Sequence, residues 1–131
     1  MKYILMMNAS SADWNSYAKW SKDDLAANVA FMRNFNKELK EEGVLVATEG
    51  LGWPAKAKIV RAAADGTPVT DGVFPESKEF LAGYWIIDVE NAEQAYKIAA
   101  RVSGAPGPGG HGGNIPIEVR EVLSGFADLN L

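Results

Sequence analysis

The run Leu81 to Val89 constrains the fold more than any other part of the chain. Successive side chains of a strand point to opposite faces. Leu81, Trp85, Ile87 and Val89 would lie on one face and Ala82, Tyr84 and Ile86 on the other, and both sets are apolar. Residues 2–8 repeat the pattern, with Tyr3, Leu5 and Met7 set against Ile4 and Met6. Strands of this kind are covered on both sides, so each belongs in the middle of a sheet.

The segments between them read as the rest of an α+β domain. Ser21 offers a capping oxygen, with Asp23 and Asp24 in the first turn to favour the helix dipole. Leu25, Val29, Met32, Phe35 and Leu39 then recur at three- and four-residue steps, which predicts an amphipathic helix stopped at Gly43. Residues 9–20 read as a polar loop carrying Trp14, Tyr17 and Trp20. Strands are expected at 44–48, 56–62 and 67–70, the last two turned by Asp65-Gly66. Asn91 and Gln94 form a capping-box pattern before a second helix with Ala92, Ala95, Tyr96, Ala99 and Val102. Residues 103–114 are rich in Gly and Pro and read as loop. A last strand is expected over 115–123, then a tail with Phe126 and Leu129.

The order β-α-β-β-β-α-β predicts a single domain over 1–131, a ferredoxin-like α+β sandwich: an antiparallel sheet with two helices on one face. Two helices cover one face only. At about 25 cal/mol per Å² of apolar area, a wet second face would cost many kcal/mol. A homodimer joined through its sheet faces answers this. The competing cover is the 9–20 segment together with the C-terminal tail.

Charge and composition then exclude function classes. The net charge is −4, against the basic face that nucleic acid requires. There are no cysteines, hence no disulfide, thiolate nucleophile or Cys-held metal. No apolar run approaches the roughly 20 residues of a membrane span, and the N-terminal apolar run is too short for a signal peptide. The expected address is cytoplasmic, with no membrane partner. His111 has no second histidine at ligand spacing, and its glycine run lacks the phosphate-loop Lys, so neither metal nor cofactor is expected.

The connection Thr70 to Glu79 concentrates chemistry: Asp71, Gly72, Phe74 and the Glu76, Lys78, Glu79 cluster stand just before the central strand. Asp71 serves as a general base or ligand acceptor, or else as a turn residue bonding its own backbone. Glu49, at a strand end beside Gly50, is the second acid/base candidate; its bland reading is a solvated carboxylate. Trp53, Phe74 and Trp85 are candidate walls of a small-molecule site, or simply core. Lys78 and His111 are candidate ligand contacts, with surface charge and incidental loop residue as the alternatives. Arg33, one step off the helix stripe, would reach a cleft edge and hold an anion, or stay exposed. Trp14, Tyr17 and Trp20 would close a pocket mouth or pad a dimer.

Glu49-Gly50-Leu51, Asp65-Gly66, Thr70-Asp71-Gly72-Val73-Phe74, Glu76-x-Lys78-Glu79, Gly83-Tyr84 and Glu118-Val119-Arg120 together resemble the YCII-related family, and within it the branch named for an Asp-Gly-Pro-Phe motif. The resemblance implies a dimeric α+β barrel, two ferredoxin-like units packed through their sheets. Two departures stand out. Val73 replaces the motif's proline. No histidine occurs within residues 21–42, where the YCII branch carries one on its first helix. Dehydrochlorinase-like chemistry is therefore not carried over by its histidine. The functional expectation is a cleft that binds a small organic molecule, with cofactor-free proton transfer or elimination as its chemistry. The alternatives are a noncatalytic accessory or regulatory module, and a monooxygenase-like enzyme by fold analogy.

Overall fold

The two strands that the sequence marks as central sit side by side in the middle of the sheet. The computed structural model describes residues 1–72 and 79–129. Among the described residues nine α-helices and β-strands run in chain order: β1 (Lys2–Ala9), α1 (Ser11–Tyr17), α2 (Lys22–Glu41), β2 (Leu45–Gly50), β3 (Lys58–Ala62), β4 (Pro68–Gly72), β5 (Phe80–Asp88), α3 (Ala92–Ser103) and β6 (Ile117–Glu121). A four-stranded antiparallel sheet has the order β2-β5-β1-β6, and β3-β4 form a separate hairpin. This is the ferredoxin-like arrangement, with α2 and α3 as the crossovers.

The helix signals are realised as hydrogen bonds. Ser21 Oγ accepts from the Asp24 amide at 3.1 Å. Gly43, at φ +76°, ends α2 while the Val44 amide donates to the Leu39 carbonyl. Asn91 Oδ1 accepts from the Gln94 amide, and Gln94 reaches back to the amide of Glu90, one residue before the cap. Each bond satisfies a backbone group that a helix end otherwise leaves unpaired.

The strands at 45–50, 58–62, 68–72 and 80–88 depart from expectation by one or two residues at their ends, and two segments differ for a specific reason. Residues 9–20 are not loop throughout, because Ser11–Tyr17 is helical. Its N-terminus is a closed capping box: Ser10 Oγ accepts from the Asp13 amide and Asp13 Oδ2 accepts from the Ser10 amide. The box uses Asp where the familiar pattern has Glu or Gln, and seven residues are too few to show an apolar stripe. The last strand is 117–121 rather than 115–123. Pro116 has no N–H for the ladder, and Ile115 is tied to the end of α3 instead: its amide donates to the Ser103 carbonyl and its carbonyl accepts from Ser103 Oγ.

The core lies between one sheet face and the two long helices. Leu5, Leu39, Ile87 and Val102 are fully buried, packed with Tyr3, Phe35, Trp85 and Ile98. Arg101 clamps α3 to α2 from the surface. Its guanidinium meets Glu38 at 2.7 Å and Glu42 at 3.2 Å, over the Phe35 ring. The bond to Glu42, then that to Glu38, raises its already high pKa against the lowering effect of burial. Ile4, Met6, Tyr84 and Ile86 occupy the opposite face and are half-buried. The C-terminal tail is not docked over them as a cover, since Phe126 is 82% exposed.

Trp85 joins packing to polarity. Its ring meets Phe35 edge-on, and its Nε1 donates to Asn36 Oδ1 at 2.7 Å. Replacing Trp85 by Ala is expected to destabilise the fold by about 3–5 kcal/mol in urea unfolding. Trp85→Phe keeps most of the packing and leaves the Asn36 carbonyl unpaired, for a loss of about 1–3 kcal/mol.

Candidate functional site

The register of the sheet creates a hollow at one end. On the helix-facing side, Leu5, Trp85, Thr48 and Val119 form one cross-strand row, and Met7, Gly83, Gly50 and Ile117 form the next. In that second row two neighbours, Gly83 on β5 and Gly50 on the edge strand β2, carry no side chain. The floor drops there, and a cleft of about 980 Å³ opens between the sheet end and the helices α1 and α2. Its size falls at the upper end of ordinary small-molecule sites. Gly83 is fixed by a close approach: a Cβ there would lie 3.0 Å from the Glu49 carbonyl oxygen.

The walls are aromatic. The chain has four tryptophans, Trp14, Trp20, Trp53 and Trp85, and every one of them lines this cleft. Trp14 and Trp53 pack with ring centroids 4.8 Å apart, Tyr17 and Trp20 at 5.0 Å, and Tyr17 and Trp53 at 6.3 Å. These rings link α1 to the loop after β2 and form a lip. Trp53, weighed from sequence as wall or core, is 44% exposed and belongs to the lip. The Trp14 Nε1 is buried without a hydrogen-bond partner among the described residues. Such a donor is costly to leave unmade.

The polar groups come from three directions. α2 supplies Arg33 and Asn36, the sheet end supplies Thr48, Glu49 and Glu118, and Glu79 stands just before β5. Thr48 Oγ1 is committed to the Tyr84 carbonyl at 2.9 Å. Glu49 lies opposite Tyr84, so its side chain stands on the sheet face away from α2 and α3, at the edge of the cleft. Among the described residues, Arg33 has no ion-pair partner within 4.0 Å.

The Gly-rich segment closes one side and is firmly held. Asn28 Nδ2 donates to the Pro106 carbonyl, and Asp24 Oδ1 accepts from the Gly109 amide. The segment also pairs with itself, Gly107 N to His111 O at 2.7 Å and Gly113 N to Ala105 O at 2.9 Å. The glycines thus permit a tight turn at Gly109 and Gly110, both at positive φ, rather than a loose strap. His111 itself is exposed and points its ring toward Gly109; its neighbours Gly107 and Pro108 line the cleft.

Of the residues singled out from sequence, Glu49, Trp53 and Trp85 are brought together at the cleft, with Arg33, Glu79, Trp14, Tyr17 and Trp20. Asp71 is elsewhere. It sits on the β3-β4 hairpin opposite Ile59, exposed, with Arg61 at 3.9 Å. The Asp65 turn that closes this hairpin is anchored separately: the Thr67 hydroxyl and amide bond the Asp65 carboxylate and hold its pKa below the usual value. Phe74 and Lys78 lie outside the described residues. Asn36 was not anticipated. Its signal is an asparagine at helical spacing from Met32, interrupting the apolar stripe beside Phe35. Among the described residues no three His, Asp or Glu side chains converge as metal ligands, and no helix is long and apolar enough to cross a membrane.

The model of the YCII-related domain matches residues 1–107, which takes in β1 to α3 and every wall of the cleft but the far part of the Gly-rich turn and β6. An uncharacterized protein of Rhizobium meliloti (strain 1021) is 30% identical over 86 residues, covering 66% of this chain and 69% of that protein.

The glycine floor makes a direct prediction. Gly83→Ala forces a methyl against a backbone carbonyl that the ladder holds in place, so it should destabilise the fold by about 1–3 kcal/mol. Equal urea midpoints for Gly83→Ala and wild type would show that β2 yields and that the close approach is not a constraint.

Proposed function

We propose that this chain, which belongs to the YCII-related domain family, binds a small organic molecule in the aromatic cleft at the end of its sheet. The observation that carries this reading is the concentration of all four tryptophans on one cleft, beside the Arg33 guanidinium, which has no ion-pair partner among the described residues. Large rings at a solvent-facing lip waste apolar area unless something covers them, and a few polar groups among aromatic walls are the usual small-molecule design. Of the two carboxylates expected to act as acid or base, Glu49 is on the cleft edge and Asp71 is paired to Arg61 on the hairpin. The reading therefore places binding in the cleft without Asp71 and leaves Glu49 at its edge, with its side chain on the far sheet face.

The working unit in this reading is a homodimer joined through the second sheet face. Support comes from the row Ile4 and Ile86 beside Met6 and Tyr84, apolar and not covered by α2 or α3. A second copy would take that face from half-buried to buried.

Two measurements follow. Intrinsic tryptophan fluorescence should respond saturably to at least one member of a library of aromatic fragments, and Trp53→Ala should weaken that response at least about tenfold while circular dichroism is unchanged. A library that leaves the emission untouched counts against the cleft as a binding site. Sedimentation should give a dimer for the wild type and a monomer for Ile86→Glu; a monomeric wild type at micromolar concentration would end the sheet-to-sheet assembly.

A further inference from the structure

The charges of the cleft are segregated by wall. The helical wall presents hydrogen-bond donors from α2: Arg33 and the Nδ2 of Asn36. Asn36 is oriented for this, because its Oδ1 already accepts from Trp85 and its amide nitrogen is left to donate. Asp13, the acid on this wall, has Oδ2 engaged in the capping box of α1. The opposite rim, at the sheet end, presents Glu79 before β5 as the acceptor; Glu49 and Glu118, paired across the ladder with Tyr84 and Met6, touch the edge of the cleft with their side chains on the far sheet face. Arg33 is not within ion-pair distance of any of them.

A simple organic anion would suit Arg33 but leave Glu79 without a donor. A simple amine would suit Glu79 but leave Arg33 without an acceptor. A molecule bearing both groups answers both walls at once. We infer that the cleft takes an amphoteric ligand, with an anionic head held by Arg33 and the donor wall, a protonated amine toward the Glu79 rim, and an aromatic or apolar frame against the tryptophans. The inference rests on the cleft being the binding site and adds the chemical class of what it binds.

Three probes with one frame test it: phenylalanine, 2-phenylethylamine and 3-phenylpropionate, titrated against tryptophan fluorescence. The phenyl ring does not compete with indole excitation. Phenylalanine should bind about tenfold more tightly than either single-charge analogue, since one charge-assisted hydrogen bond is worth about that factor. Arg33→Met should bring phenylalanine down to the affinity of 2-phenylethylamine and leave the amine unchanged. Glu79→Gln should bring it down to that of 3-phenylpropionate. Arg33 is exposed, so the variant is expected to fold, and circular dichroism checks it. The inference is overturned if either single-charge analogue binds within about twofold of phenylalanine, or if Arg33→Met leaves the order unchanged. It is also overturned if none of the three perturbs the emission while other aromatic fragments do; silence from those fragments as well would instead sink the cleft itself.

Discussion

The pairing of β1 with β5 is the constraint on which the remaining structure depends. Both strands are apolar on both faces, and they run antiparallel from Lys2–Asp88 to Ala9–Phe80. Once adjacent, they define the helix face through Leu5, Trp85 and Ile87 and the opposite face through Ile4, Met6, Tyr84 and Ile86. α2 and α3 are then compelled onto the first face, because their own stripes end in Phe35, Leu39, Ile98 and Val102 and have nowhere else to be buried. The second face inherits its need for a cover from the same pair.

The cleft is a consequence of where that pairing runs out of side chains. Along the helix face the rows pass from Leu5–Trp85 to Met7–Gly83, and the filled core turns into a floor within a single step of the pleat. Trp85 therefore belongs to both: one edge seals the core against Phe35 while the ring also lines the cleft. A wall shared with the core is held rigidly by packing and by its bond to Asn36, which is how a binding surface is kept preorganised. Changes at this residue will act on stability and, in the proposed reading, on binding as well.

How much of this was legible depends on the range of the interaction involved. The caps at Ser21 and Asn91, the stop at Gly43 and the two-faced strands are local patterns, and each appears where its residues place it. The short helix α1 was not legible, because its seven residues hold through one Ser10–Asp13 box and ring contacts to Trp53, some forty residues away. The cleft was legible only in parts. Trp14, Tyr17 and Trp20 looked out of place in a polar stretch, which is a sound signal of a lip. Asp71 drew attention by standing beside a glycine and an aromatic, yet its neighbours in space are Arg61 and Ile59, set by hairpin register. Sequence proximity to β5 carried no information about which side of the molecule the hairpin takes.

The lip is where stability and recognition meet. α1 buries none of its residues, and its attachment to the body runs through the rings of Trp14, Tyr17, Trp20 and Trp53. Aromatic pairs of this kind contribute about 0.5–1.5 kcal/mol each beyond their area. Against that stands the Trp14 N–H, sealed from water with no acceptor among the described residues, at a cost of about 1–3 kcal/mol. Three such pairs run from α1 to Trp20 and Trp53, so the ring contacts match or exceed that cost before their buried area is counted. In the proposed reading, a ligand packed against these rings would add contacts to the same segment and so couple occupancy of the cleft to the order of α1.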